Sequence, residues 1–182
     1  MSPRSRVALA RCAAYDAGLQ AAMDRLLSPL GGIGAFVKPG QSVLIKPNLL
    51  TAREPEKAVT THPEVARALI RLVRKQGANP SVGDSPSNVT RLDELWARTG
   101  FRALCDEEKV PLLNLEKEGS VPCVVNGFSF SVAKPVLEAD VIINVPKVKT
   151  HMLTIFTGAV KNMYGAVPGF QKTTLHRHHP TA

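Results

Sequence analysis

Basic side chains follow an apolar run in the last third of the chain. The segment VIINVPKVKTH (residues 141–151) places Lys147, Lys149 and His151 directly after five residues typical of a buried strand. Lysine ammonium groups hold carboxylates and phosphates, and histidine transfers protons near neutral pH. This spacing predicts an anion-binding site in which His151 is a candidate acid–base group.

Polar residues also follow two other apolar runs. Lys46 and Asn48 come after Val43–Ile45, and Asp84 comes two residues after Val82. In an open sheet of parallel strands, ligands bind beyond the carboxyl ends of the strands. We therefore expect these side chains to share one edge of the sheet with the basic residues 147–151.

The segment after the basic loop has helical spacing. We predict a helix over residues 153–164, in which Thr154, Thr157 and Lys161 form one polar stripe. The free N–H groups at its N-terminus would attract the same anion. The predicted apolar face of this helix consists of Leu153, Phe156, Val160 and Met163.

The clearest helical pattern is TTHPEVARALIRLVRKQGA (residues 60–78). Two N-terminal caps fit it. Thr61 and Glu64 have capping-box spacing, or His62 is the cap with Pro63 in the first helical position. His62 is therefore either a cap alone or also a group that contacts the ligand and moves a proton.

The alternation of strand and helix patterns predicts an α/β fold: a mainly parallel sheet with flanking helices and one β-hairpin. The hairpin is expected at residues 121–132, around the type I′ turn signal Asn126–Gly127. Other strands are expected at residues 6–10, 42–47, 80–83, 111–115 and 141–145, with further helices at 15–30 and 90–100. We expect one incomplete domain over residues 1–182, with a loose tail at 171–182.

Composition and net charge limit the classes of partner and the cellular location that we expect for this protein. The chain has 182 residues, a net charge of +8 and a pI near 9.7, and no acidic residue occurs from Val141 onwards. Anionic partners are therefore expected. No apolar run approaches the length of a membrane span, and residues 1–16 lack the apolar stretch of a signal peptide. We expect a cytoplasmic protein that does not enter the membrane.

The cysteines encode no recognisable metal motif. Cys12, Cys105 and Cys123 are far apart, and no CxxC pair is present. We therefore expect no metal site and no cofactor within this chain.

Several blocks resemble the domain-of-unknown-function 362 family. They are KPNLL, THPEVARALIRLV, GDSPS, INVPKVKTH and TGAVKNMYGAVPGFQKTTLH, spanning about Val43 to His176. The resemblance implies an α/β domain that often accompanies a ferredoxin-like module with two [4Fe–4S] clusters. It also implies a distant relation to the N-terminal domain of lactate racemases. The positions that match family blocks are Lys46, Asn48, His62, Asp84, Lys147, Lys149, His151, Lys161, Asn162 and His176.

The chain departs from the family pattern because it lacks the later strands and the cysteine run of the cluster module. It therefore looks like the N-terminal part of a longer protein. An incomplete sheet would leave an exposed edge through which two copies could associate.

Three functions stay open. The chain could bind a small anionic substrate, with Lys46, Asn48, Asp84, Lys147, Lys149, Asn162 and His176 holding it and His151, His62 and Lys161 as catalytic groups. The reaction would be a redox step on an organic acid or an isomerisation. Alternatively, the basic edge docks an acidic ferredoxin-type partner. A nucleic-acid-binding module is disfavoured by the 5% aromatic content and by the lack of a recognisable reading motif.

Overall fold

The computed structural model describes residues 5–86, 91–151, 155–169 and 171–172. In chain order its strands are β1 (Ser42–Pro47), β2 (Asn79–Asp84), β3 (Leu112–Asn114), β4 (Ser120–Val125), β5 (Phe128–Ala133), β6 (Val141–Val145), β7 (Lys149–His151) and β8 (Ile155–Thr157). Its α-helices are α1 (Gly18–Leu27), α2 (Pro63–Lys75), α3 (Leu92–Arg98), α4 (Phe101–Glu108), α5 (Lys134–Glu138) and α6 (Ala159–Asn162). Short 3-10 turns occupy Ser28–Leu30, Ile33–Ala35, Pro55–Lys57 and Met163–Ala166.

Four strands form a parallel sheet in the order β3-β2-β1-β6. The central strand β1 is apolar on both faces, as expected for a covered parallel sheet. Val43 and Ile45 pack in the clusters that contain residues of α2, whereas Leu44 packs in the cluster that contains Ala133 and Val136. The predicted α/β fold with a parallel sheet is confirmed.

Helix α2 covers one face of the sheet because its apolar residues repeat at helical spacing. Leu69, Ile70 and Val73 are buried in the core. Of the two caps that the sequence allowed, the structure contains the second: His62 Nδ1 accepts the Glu64 N–H at 3.3 Å, and Pro63 is the first helical residue.

An ion-pair network joins α2 to α4. The guanidinium groups of Arg67, Arg71 and Arg74 all contact the Glu108 carboxylate, and Arg67 also contacts Glu107. These three arginines of α2 are therefore engaged in ion pairs with α4.

Two antiparallel ribbons lie outside the main sheet. The first pairs β4 with β5, and its turn residues Asn126 and Gly127 have φ values of 50° and 82°. Both are positive, as a type I′ turn requires, so the predicted hairpin is confirmed. The second ribbon pairs β7 with β8 and was not expected.

The helix predicted over residues 153–164 is wrong at residues 155–158 and present in its second half. Ile155–Thr157 forms β8, and the α-helix is limited to Ala159–Asn162. Ile155, Phe156 and Thr157 are β-branched or aromatic and favour strands, and Gly158 is a poor helix former. Thr157 and Lys161 therefore lie on different elements and do not share a helical stripe. Of the predicted apolar face, Phe156 and Val160 are exposed, while Leu153 lies outside the described residues, as does Thr154 of the stripe.

The strand predicted at residues 6–10 is also wrong. These residues form no strand, and the side chain of Leu9 is 95% exposed. The segment precedes α1 and pairs with no strand of the sheet, so its apolar residues gain no burial. In contrast, helices α4 and α5 are present although the sequence reading did not identify them.

Candidate functional site

The ends of β1, β2 and β6 meet at one edge of the parallel sheet. Ile45 lies beside Val82, and Pro47 lies beside Val145. Because the strands run in the same direction, the loops that follow them lie at the same edge. This carboxyl edge therefore brings together the residues that the sequence singled out after each strand.

Lys46 and Asp84 form a buried ion pair at the base of this edge. Lys46 Nζ lies 2.7 Å from Asp84 Oδ1, and neither side chain is more than 4% exposed. Asp84 Oδ2 also accepts the Leu49 N–H at 2.8 Å. Gly165 passes so close that an added Cβ would lie 2.6 Å from Lys46 Nζ. The two charges neutralise each other inside the protein.

Asn162 fastens the short helix α6 to the sheet. Its Nδ2 group donates to Asn144 Oδ1 at 2.7 Å and to the carbonyl oxygens of Lys46 and Pro47 at 3.3 Å. Asn144 Nδ2 in turn donates to the Ala159 carbonyl at 2.7 Å. Asn162 is thus a positioning residue in this structure, because its amide N–H groups are engaged by the sheet.

Three lysines at this edge form no salt bridge in the described part of the chain: Lys147, Lys149 and Lys161. Lys149 lies within electrostatic reach of the other two and of Asp84. Burial lowers the pKa of Lys149; the charge of Asp84 opposes that shift, and those of Lys147 and Lys161 add to it. Burial also lowers the pKa of Lys161, and Lys172 lowers it further. These effects identify a concentration of positive charge that is partly removed from water.

The contacts of Lys149 and Lys161 fix where these charges lie. Lys149 Nζ donates to the Val59 carbonyl, in the loop between β1 and α2. Lys161 Nζ lies 4.7 Å from the centroid of the Tyr164 ring, a cation–π contact within one helical turn.

His151 belongs to the same cluster. It follows Lys149 by two residues on β7, so the two side chains share a face of the ribbon. Burial lowers the pKa of His151, and the charges of Lys161 and Lys149 lower it further. The imidazole is therefore neutral at pH 7 and able to accept a proton.

His62 lies at the start of α2, at the same edge. Its ring stacks on that of Tyr15, with the centroids 3.8 Å apart. Burial lowers its pKa, Glu64 and Glu56 oppose the shift, and Lys147 adds to it. Because Nδ1 accepts a backbone N–H, the proton of the neutral ring lies on Nε2.

Three buried oxygen atoms near this edge have no hydrogen-bond partner among the described residues: Asn48 Oδ1, Thr60 Oγ1 and Thr157 Oγ1. Other polar groups in the same loop are hydrogen-bonded. The Asn48 N–H donates to Thr61 Oγ1 at 2.8 Å, and Thr61 Oγ1 donates to the Val145 carbonyl at 2.6 Å. The sequence reading missed Thr60, whose only signal is its position in the loop between β1 and α2.

A second ionic cluster lies at the same edge of the sheet, just beyond the ends of β2 and β3. Glu116 accepts hydrogen bonds from Lys172 Nζ at 2.7 Å, from Ser85 Oγ and from the Gly169 N–H. Burial raises the pKa of Glu116, but the hydrogen bonds from Lys172 and Ser85 outweigh it, so the pKa is lowered. The sequence reading did not identify this cluster. It ties Lys172, the last described residue, to the sheet, whereas His176 lies outside the described residues.

Metal-binding and membrane-spanning features were also sought in the described ranges. Nowhere in these ranges do three or more His, Cys, Asp or Glu side chains form a group that could hold a metal ion. The helices there lack the combination of length and hydropathy needed to cross a membrane.

Comparison with known proteins identifies the family. Residues 43–182 match the family model described as a domain of unknown function, DUF362. The chain is 39% identical over 172 residues to the thylakoid-associated protein sll1697 of Synechocystis sp., an alignment that covers 93% of this chain and 53% of that protein. The chain thus spans about half the length of this curated relative. No solved structure matches significantly. Since the family model covers most of the chain, the protein belongs to the DUF362 family.

Proposed function

We propose that the protein binds a small anion, a carboxylate or a phosphate, at the carboxyl edge of its parallel sheet. The observation that carries this proposal is the group of Lys147 and Lys161 around Lys149, whose neighbouring acid Asp84 is already paired with Lys46. Like charges held together out of water lower one another's pKa, and an anion placed between them relieves this repulsion. The site is therefore complementary to a negative ligand.

The neutral imidazole of His151 gives this site an acid–base group. It shares a face of β7 with Lys149 and lies within electrostatic reach of Lys161. A base in this position would take a proton from a bound organic acid whose negative group the lysines hold. Both reaction classes, an isomerisation and a redox step, use such a proton transfer. For longer relatives we propose electron transfer through an iron–sulfur module.

Calorimetric titration with inorganic phosphate, acetate and succinate tests the proposal. Lys149→Met and Lys161→Met should each weaken binding by roughly 10- to 100-fold, the usual worth of a hydrogen bond to a charged group. Lys75→Met is the matched control, because Lys75 is exposed at the end of α2, just before the start of β2 and therefore at the opposite edge of the sheet. Failure of all three anions to bind, or equal binding by the site variants and the control, would refute the proposal.

The second candidate is a scaffold that docks an acidic protein partner through the same edge. It is favoured by Val148 and Val160, which are 68% and 88% exposed next to the lysines in sequence. Apolar side chains among basic ones are typical of a protein interface. Saturable binding of one small anion at moderate salt would favour the first candidate instead. A cytoplasmic location and self-association through a sheet edge stay predictions.

A further inference from the structure

Two buried threonine hydroxyls at the carboxyl edge lack partners. Thr60 is 1% exposed and Thr157 is 3% exposed, and the Oγ1 atom of each has no hydrogen-bond partner within the described ranges. A buried hydroxyl without a partner costs free energy, and such groups are uncommon in native proteins. Thr99 is the contrasting case: it is equally buried, and its hydroxyl donates to the Leu95 carbonyl at 2.7 Å.

Both unpaired hydroxyls belong to the surroundings of Lys149. Thr157 is the cross-strand partner of Lys149 in the β7–β8 ribbon, so the two side chains project from the same face. Thr60 follows Val59, whose carbonyl accepts the hydrogen bond from Lys149 Nζ. Lys149 is thus linked to both threonines, by strand pairing to Thr157 and by a hydrogen bond to the residue before Thr60.

The number of donors and the charge balance distinguish a phosphate from a carboxylate. A carboxylate has two oxygens in one plane and a single negative charge. A phosphate group has more acceptor oxygens in a tetrahedral arrangement and close to two negative charges at neutral pH. The edge offers three lysines and two hydroxyls, and Asp84 is already neutralised by Lys46. A dianion balances this set more completely than a monoanion does.

We infer that Thr60 and Thr157 donate hydrogen bonds to a phosphate group, free or in a phosphomonoester, that binds beside Lys149. This inference rests on the proposed function and specifies the class of its ligand. The two hydroxyls favour phosphate because, together with the lysines, they offer more hydrogen bonds than the two oxygens of a carboxylate accept in one plane.

Substitution of each threonine by valine tests the inference, because valine keeps the shape and removes the hydroxyl. Thr60→Val and Thr157→Val should each weaken the binding of inorganic phosphate about tenfold in calorimetric titrations. The melting temperature of the ligand-free variants should equal or exceed that of the parent protein, because an unpaired buried hydroxyl is replaced by a methyl group. Thr99→Val, the control, should leave phosphate affinity unchanged.

Thr60→Ser and Thr157→Ser supply a second readout, because serine restores the hydroxyl. They should bind phosphate within about threefold of the parent protein, even if a valine variant folds poorly. Glycerol 3-phosphate is titrated in parallel. Tighter binding than that of inorganic phosphate identifies a monoester, and weaker binding identifies the free ion; either result supports the inference.

Three results would overturn the inference. If both valine variants bind phosphate as the parent does, the hydroxyls do not contact the ligand. If the parent binds acetate or succinate but not phosphate, the phosphate inference fails and the proposed anion site stands. If the parent binds none of these anions, the proposed function fails as well.

Discussion

Breaking the buried ion pair should destabilise the protein strongly. Asp84 is 3% exposed in the parent protein, and among its contacts with the described residues Lys46→Met leaves the Leu49 N–H as a hydrogen-bond donor to its carboxylate. Removing one partner of a buried pair typically costs about 3–5 kcal/mol because the remaining charge is uncompensated. For a chain of 182 residues, at about 2–4 °C per kcal/mol, the melting temperature should fall by about 6–20 °C.

A double-mutant cycle separates the pair from its surroundings. Asp84→Asn should cost about as much as Lys46→Met, whereas the double variant should recover at least about 2 kcal/mol relative to the sum of the single losses. Urea unfolding can be followed by the fluorescence of Trp96, the single tryptophan, which is 4% exposed and packs in the same cluster as Ile45. Additive losses, or single losses below about 1 kcal/mol, would contradict a dry, mutually neutralised pair.

Three further outcomes follow from local contacts. Gly165→Ala should destabilise the fold by about 1–3 kcal/mol in urea titrations, because its Cβ would overlap the buried ion pair. Cys105 should resist thiol reagents in the native state while the exposed Cys12 reacts, because burial raises the Cys105 pKa to about 12. The folded-state pKa of Glu116 is lowered, so its stabilising effect is complete above the unfolded value of about 4.3 and is lost as the pH falls through the folded value. The melting temperatures of the parent and Glu116→Gln should therefore differ most above the unfolded value and converge as the pH falls through the folded value.

Local patterns were sufficient to predict the main elements of the fold. The run Val43–Ile45 identified a strand covered on both faces, and the apolar spacing of residues 63–75 identified α2. The helix prediction for residues 153–164 failed at residues 155–158. The apolar residues of this segment recur at helical intervals, but Ile155 and Thr157 are β-branched and favour a strand. Pairing with β7 decided the outcome, and a single segment does not encode its partner strand.

The location of the candidate site was also predictable, since residues after parallel strands share an edge. The contacts between its side chains could not be predicted from the sequence. Lys46 pairs with Asp84 across 38 residues, and Lys172 pairs with Glu116 across 56 residues. Nothing in the spacing of these residues distinguishes a buried ion pair from two ligand contacts. The unpaired state of Thr60 is equally invisible in the sequence, because it depends on what the fold places around the hydroxyl.

The strand order β3-β2-β1-β6 has a consequence for synthesis on the ribosome. Strands β1 and β6 are neighbours in the sheet, and the Ser42 N–H at the start of β1 donates to the Asp140 carboxylate just before β6. These two residues are 98 positions apart in the chain. At about 5–20 residues per second, the nascent chain displays β1 for roughly 5–20 s before β6 emerges. During that interval one row of β1 backbone N–H and C=O groups is open to pairing with other chains. Nascent chains of this protein should therefore be more prone to associate through β1 before β6 has emerged than after it has paired.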